Sequence, residues 1–348
     1  MSNFFDEIKN NLSLLNIDII YKVTERTFLS PFFTFWIPLI AICQNSFKFL
    51  KFSLILFIFV SLRSILIWSS KSWTNKRWNR GQIDWSDQIV IITGGSNGLG
   101  RILAETLAIK NISVIVLDIQ PFSESQDDEQ VKFYYCDISN PNQVDQVAER
   151  IRQEIGSPTI LVNNAGIVNG KLIIDLEPKD IQKTFGVNFF AHFYLLKAFL
   201  PEMIKRNSGH VVTISSVLSG IGIPQLSDYG ASKAAASHLH YCLRQELKSK
   251  YNADGIRTTL VCPGFMQTKM FEKAEFFNKF FFPPISPHDV MKRIIRSIDN
   301  EESEEIFIPF FTNFGPLFHV ILPSWFQNFL EWSVGSNSAM KDVNRQPK

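Results

Sequence analysis

Between Gln88 and Cys262 six short apolar runs, rich in β-branched residues, recur at intervals and are separated by stretches with helical spacing. The runs are QIVIIT (88–93), SVIVLD (113–118), KFYYC (132–136), TILVN (159–163), HVVTIS (210–215) and RTTLVC (257–262). QVDQVAERIRQEI (143–155) and GASKAAASHLHYCLRQELKSK (230–250) are two of the intervening helical stretches. Strands that alternate with helices return by crossover and therefore lie parallel. Their scarcity of alternating polar positions suits a sheet covered on both faces. The pattern predicts an α/β fold built on a doubly wound parallel sheet. We expect one catalytic domain at 81–300, preceded by a hydrophobic segment and basic linker at 1–80 and followed by a hydrophobic extension at 301–348.

The first run leads directly into TGGSNGLG (93–100), which opens a helix. Glycines at 94, 98 and 100 let the chain turn tightly and let a pyrophosphate approach the backbone. The helix start then offers N–H donors and a favourable dipole. A glycine-rich turn alone is weak evidence, but the strand–turn–helix context is the one such a motif requires. The second run ends at Asp118, where a carboxylate can accept hydrogen bonds from both ribose hydroxyls of NAD and repel the 2′-phosphate of NADP. The expected cofactor is NAD, with NADP left open by Arg101, which follows the last glycine. Further along, YGASK places Tyr229 and Lys233 four residues apart, on one face of a helix. Such a pair is often just a solvated surface pair, so its meaning depends on the rest of the chain.

The spacing TGxxxGxG, followed in order by NNAG (163–166), Asn188 in GVNFFAHF, Ser216 in TISS, YGASK and PGFMQT (263–268), resembles the classical short-chain dehydrogenase/reductase family. The resemblance covers roughly 84–270 and implies a Rossmann-type fold. It implies that Gly94, Ser96, Asn97, Gly98, Leu99, Gly100, Asp118, Asp137, Asn164, Ala165, Gly166, Tyr229, Lys233, Pro263, Gly264 and Thr268 hold the cofactor. Asp137 would contact the adenine and Thr268 the nicotinamide carboxamide. It also implies a catalytic set of Asn188, Ser216, Tyr229 and Lys233. Ser216 lies thirteen residues before Tyr229, the family's spacing, and must be distinguished from its neighbour Ser215. In that scheme Ser216 holds the substrate oxygen and Tyr229 is the general acid/base. Lys233 lowers the phenol's pKa, and Asn188 holds a water of the proton relay.

Outside that region the chain is apolar in a different way. FLSPFFTFWIPLIAIC (28–43) carries no charge, and FSLILFIFVSLRSILIW (52–68) carries only Arg63. Each run is short of the roughly 20 residues of an ordinary bilayer span. Lys71, Lys76, Arg77 and Arg80 follow, as on a cytoplasmic flank. We expect a membrane anchor here, a hairpin entering one leaflet in preference to a single spanning run, the alternative to an anchor being a buried helix pair. FEKAEFFNKFFF (271–282) and the aromatic stretch 306–332 suit an apolar substrate or a membrane contact, and the acidic DNEESEE (299–305) reads as a solvated turn. Together these features look like the family's branch of retinol dehydrogenases and lipid-droplet hydroxysteroid dehydrogenases. The branch implies a lipophilic alcohol or ketone as substrate, location at the endoplasmic reticulum or lipid droplets with a cytosolic catalytic domain, and a homodimer. A lipid ketoreductase using NADPH and a non-catalytic lipid-droplet scaffold are the rival readings. The net charge of +2 gives no support for a nucleic-acid partner. The four cysteines form no CxxC, and His192, His238 and His240 lack ligand spacing, so no metal site is expected.

Overall fold

Every one of the six runs forms a strand, and the sheet they build is parallel throughout. The computed structural model describes residues 16–44, 46–75, 83–122, 130–271, 280, 283–315 and 321–328. The chain divides into two units, Met1–Gly81 and Gln82–Lys348.

In the first unit, helix α1 spans Ile17–Arg26, α2 spans Pro31–Cys43 and α3 spans Phe47–Asn75. Asn16 caps α1 by accepting the Ile19 N–H at 3.1 Å, and Pro31 opens α2, where the missing donor costs nothing. The second apolar run is not a short helix. It continues from Phe47 to Ser70, 24 residues long and apolar enough to cross a membrane, because Lys48, Lys51 and Arg63 are good helix formers that do not interrupt the backbone. Helices α1 and α2 meet at a bend of 58°. Of the basic cluster, Lys76, Arg77 and Arg80 lie outside the described residues.

The second unit runs β1 (Ile89–Thr93), α4 (Gly98–Ile109), β2 (Ser113–Asp118), β3 (Val131–Tyr135), α5 (Pro141–Glu154), β4 (Ile160–Asn163), α6 (Pro178–Phe185), α7 (Ala191–Arg206), β5 (Gly209–Ile214), α8 (Ser227–Ser249), β6 (Ile256–Pro263), α9 (Pro287–Asp299) and β7 (Glu304–Ile308). A single π-helical turn, Gly186–Phe190, joins α6 to α7. The strand order β3-β2-β1-β4-β5-β6-β7 reverses direction between β1 and β4. In such sheets the crevice beyond the strand ends at that reversal is where ligands bind.

The core lies in two layers, one on each side of the sheet. Leu103, Leu107, Val290, Ile294 and Ile298 of α4 and α9 pack on Val90, Ile92, Val114 and Val116. On the other side Ile151, Leu195, Met203 and Leu247 pack on Ile91, Ile115, Leu161 and Val211. Each fully buried aliphatic side chain contributes about 2 kcal/mol relative to leaving it in water, so these alternating rows fix the register.

Two expectations need correcting. The stretch 299–305 is only in part a turn: Glu304 and Glu305 begin β7, which pairs with β6 from Thr259↔Glu304 to Pro263↔Ile308. Glu305 reaches Arg244 of α8 at 2.9 Å, and Glu302 is buried, so the acids are tied to the edge of the sheet. The sheet consequently extends past residue 300, the expected limit of the catalytic domain. Asp299 also has a partner, accepting the Trp85 Nε1–H at 2.7 Å just ahead of β1.

Candidate active site

The glycine turn has the geometry that its residues dictate. Gly94 and Gly98 adopt φ of +66° and +56°, in the region where a side chain is strained. A Cβ on Gly100 would stand 2.3 Å from the Gly94 carbonyl oxygen and 2.5 Å from Asn164 Nδ2, and one on Gly94 would stand 2.8 Å from Ala165 Cα. Asn97 is extended, and α4 begins immediately after it. The Leu99 side chain is buried in the core. The result is a bare backbone concavity at a helix start, which fits the pyrophosphate of a dinucleotide.

Around it the strand ends are interlocked. Thr93 Oγ1 accepts the N–H groups of Asn164 and Ala165 at 3.0 and 3.1 Å, and Asn164 Nδ2 donates to the carbonyls of Thr93 and Gly94. Asp118, at the end of β2, accepts the Ser96 N–H at 3.0 Å through Oδ2 and the Gln120 N–H at 3.0 Å through Oδ1. These bonds aim the carboxylate while leaving each oxygen a further lone pair, which suits a ribose diol. Asp137 Oδ1 accepts from Ser139 N–H and Oγ–H at 3.0 and 2.7 Å. Arg101 pairs with Glu105 at 2.7 Å and stacks over the Phe122 ring at 5.7 Å. Thr268 faces the start of α4, 3.7 Å from where a Cβ on Gly98 would be. Gly264 N–H donates to the Ile308 carbonyl at 2.6 Å, and Pro263 pairs in register with Ile308, so β7 holds the Pro-Gly segment.

The four expected catalytic residues converge. Ser216 follows β5, Tyr229 and Lys233 lie on the first turns of α8, and Asn188 sits in the π-helical turn; all four are buried. The two serines are clearly separated by their bonds. Ser215 Oγ is engaged with the Lys233 carbonyl at 3.0 Å and Ser237 Oγ at 2.7 Å, whereas Ser216 Oγ accepts the Leu218 N–H at 3.2 Å and donates to the Pro263 carbonyl at 3.5 Å. Lys233 Nζ donates to the Ile214 carbonyl at 2.9 Å and lies 5.9 Å from the Tyr229 ring centroid. Gly166 sits beside both, since a Cβ there would be 3.4 Å from Lys233 Nζ and 3.5 Å from Asn188 Oδ1.

Asn188 acts here as a brace. Its Oδ1 accepts the Ile167 N–H at 2.8 Å, and its Nδ2 donates to the Ile167 carbonyl and Ser232 Oγ, each at 3.0 Å. With these bonds the side chain ties the loop after β4 to α8. The expected lowering of the phenol's pKa is also not what this geometry gives. Burial pushes Tyr229 up to about 12, against which the neighbouring Ser216 hydroxyl works, and burial pushes Lys233 down to about 8.

Three polar residues went unnoticed in the sequence. Asp228 is buried beside Tyr229, and its Oδ2 accepts from Asn169 Nδ2 at 2.7 Å and Thr184 Oγ1 at 2.9 Å. Its Oδ1 is buried with no hydrogen-bond partner among the described residues. An acid in the first turn of a helix is common enough to conceal such a role. The wall around the phenol is apolar: Ile223 and Leu226 are buried against Tyr229, with Val168, Leu218, Phe265 and Phe271 packed on them. The Phe271 ring stands edge-on to Tyr229 at 5.9 Å. Most of the expected phenylalanine-rich segment beyond it lies outside the described residues. His192 and His240 are buried and pushed down to about 3 by desolvation, hence neutral; His240 Nδ1 bonds Thr213 Oγ1 at 3.0 Å.

Residues 88–277 match the family model described as short chain dehydrogenase. The chain is 37% identical over 244 residues to epidermal retinol dehydrogenase 2 of Mus musculus, covering 68% of this chain and 78% of that protein. It is 33% identical over 254 residues to estradiol 17-beta-dehydrogenase 11 of Pongo abelii, covering 71% and 83%. A crystal structure of a short-chain dehydrogenase from Streptomyces avermitilis superposes with a TM-score of 0.58 at 25% identity, over 73% of this chain and 98% of that one.

Proposed function

Because the chain belongs to the short chain dehydrogenase family, and is thus an oxidoreductase acting on alcohol or ketone groups with a nicotinamide cofactor, we propose that its substrate is a lipophilic alcohol or ketone. The observation that carries this reading is the apolar wall of Val168, Leu218, Ile223, Leu226, Phe265 and Phe271 around Tyr229. A retinoid, sterol or fatty alcohol has a single polar group to present, and such a wall offers one place for it, beside Ser216 and Tyr229.

The catalytic assignment proposed for this site is supported by the convergence of Asn188, Ser216, Tyr229 and Lys233. Ser216 orients the substrate oxygen, and Tyr229 exchanges the hydroxyl proton with it. The nicotinamide, when bound, takes up or delivers the hydride. Lys233 supplies a cation within the buried site, and Asn188 fixes the loop that faces it. Gly94, Gly98 and Gly100 receive the pyrophosphate, Asp118 the adenosine ribose, and Thr268 the carboxamide end. Asp118 favours NAD, and Arg101, engaged with Glu105 and Phe122, leaves that preference in place.

The first unit is proposed as a membrane anchor, with the catalytic unit on the cytosolic side of the endoplasmic reticulum or on lipid droplets, and the protein as a homodimer. The long apolar helix α3 supports an anchor. Turnover of a panel of lipid alcohols and ketones by the detergent-solubilised protein, with NAD and NADP in parallel, tests the reading. Oxidation of long-chain or polycyclic alcohols with NAD is expected. A preference for short polar alcohols would overturn the substrate class, and faster turnover with NADP would overturn the role given to Asp118.

A further inference from the structure

In the anchor unit the ends are charged and the middle is not. Phe35 of α2 and Phe57 of α3 stack edge to face at 5.8 Å, so the two helices fold back on each other between Cys43 and Phe47. Gln44, Ser46, Lys48 and Lys51 lie near that reversal. At the other end Arg63 NH2 lies 3.7 Å from Glu25 Oε1, and the Tyr21 hydroxyl donates to the same Glu25 oxygen at 3.1 Å. At 1.5 Å per residue, the helix between Lys51 and Arg63 is only about 18 Å long, well under the roughly 30 Å of a hydrocarbon core. If Phe47–Ser70 stood centred across a bilayer, Arg63 would lie within about 7 Å of the midplane. It would draw Glu25, and with it the whole of α1, into the lipid, where each charge is costly.

Helix α1 has the complementary composition. Asp18, Lys22 and Glu25 recur at i, i+4 and i+7, the exposed Ile20 and Val23 lie on the opposite side, and Ile19 stands at the boundary beside Arg26 at the helix end. The apolar half is continuous in composition with the exposed aromatic surface of the hairpin, which includes Phe28, Phe32 and Phe33. A helix so divided lies in the plane of a membrane interface.

We propose that α1 is an in-plane interfacial helix, held at the lipid headgroup level by the Tyr21–Glu25–Arg63 cluster, which thereby sets how deep the α2–α3 hairpin sits. The occupant of its apolar face is the upper acyl region of a lipid layer. The proposal rests on the anchor reading above and deepens it.

The test uses the full chain in phosphatidylcholine vesicles, with the exposed cysteines removed (Cys43→Ser, Cys242→Ser) and a fluorescent thiol probe at Ile20→Cys or Lys22→Cys. Iodide in the aqueous phase is expected to quench the probe at 22 at least three-fold more than the probe at 20, and acyl-chain spin labels the reverse. Equal quenching by iodide at both positions, or at neither, overturns the interfacial placement. Glu25→Arg should bring the two probes to similar quenching, and Glu25→Arg with Arg63→Glu should restore the difference. Unchanged depths in Glu25→Arg would overturn the role of the cluster. A carbonate wash separates the two readings: a protein released from membranes by the wash refutes the anchor itself, whereas a retained protein with the wrong probe depths refutes only the placement of α1.

Discussion

At Tyr229 and Lys233 burial acts on two groups in opposite senses, and both senses are measurable. Tyr229→Phe keeps the ring packing and removes the hydroxyl, so kcat should fall by roughly three orders of magnitude or more with the affinity for NAD nearly unchanged; near-normal turnover would refute the assignment. Lys233→Ala should lose both rate and NAD affinity. The pH dependence follows from the sign of each shift. Lys233 in the folded state titrates at about 8, below its ordinary 10.5, so the folded protein binds fewer protons than the unfolded one between these values. Its burial penalty is complete below pH 8 and fades as pH rises towards 10.5. Tyr229, raised to about 12 from 10.0, contributes stability that is intact below pH 10 and lost between 10 and 12. In the clean window from pH 8 to 10, the wild type should therefore gain on Lys233→Met by about 2 kcal/mol, at about 1.4 kcal/mol per pKa unit. Thermal midpoints of both proteins in detergent check it; a constant difference across the window would show that Lys233 is not desolvated.

Among the elements, the strand–turn–helix of β1 and α4 tolerates least. Gly100→Ala places a methyl 2.3 Å from a main-chain oxygen that cannot retreat, because the Asn164 amide holds it. We expect loss of NAD binding by at least ten-fold, read by isothermal titration, together with lower stability. The first turn of α8 gives a subtler case. Asp228 ties that turn to Thr184 of α6 and to Asn169, in the loop that also carries Val168 of the substrate wall. Asp228→Ala should raise KM for a lipid alcohol several-fold and reduce kcat with it, whereas Asp228→Asn, which still accepts both bonds, should recover most of the loss. Equal behaviour of the two variants would mean that the carboxylate's hydrogen bonds do not matter.

For the molecule as a whole, two units of different character share one chain. Residues 28–68 fused to a fluorescent reporter should direct it to the endoplasmic reticulum and, under lipid loading, to droplets, since a hairpin with both ends on one side fits a monolayer. A soluble reporter would remove the anchor. In intact microsomes the catalytic unit should be open to added protease, and complete protection would invert the topology. Cofactor choice is tested at this scale too: Asp118→Ala combined with Ile119→Arg should move preference from NAD towards NADP, Ile119 being exposed beside the carboxylate.

The α/β fold and the glycine turn were legible in the sequence because they depend on local patterns, β-branched runs and glycines at fixed spacing, whereas Ser216, Tyr229 and Lys233 stood out only through the ordered motifs that resemble the family. What depends on distant partners was not legible. Whether Glu304 and Glu305 belong to a turn or to β7 is decided by β6 and by Arg244, sixty-one residues from Glu305. Asp228 looked like a helix-start acid until Asn169 and Thr184 closed on it from separate elements. The phenol's pKa is set first by burial, and no spacing along the chain reports how deeply the folded protein buries Tyr229 or how far it holds Lys233 from the ring.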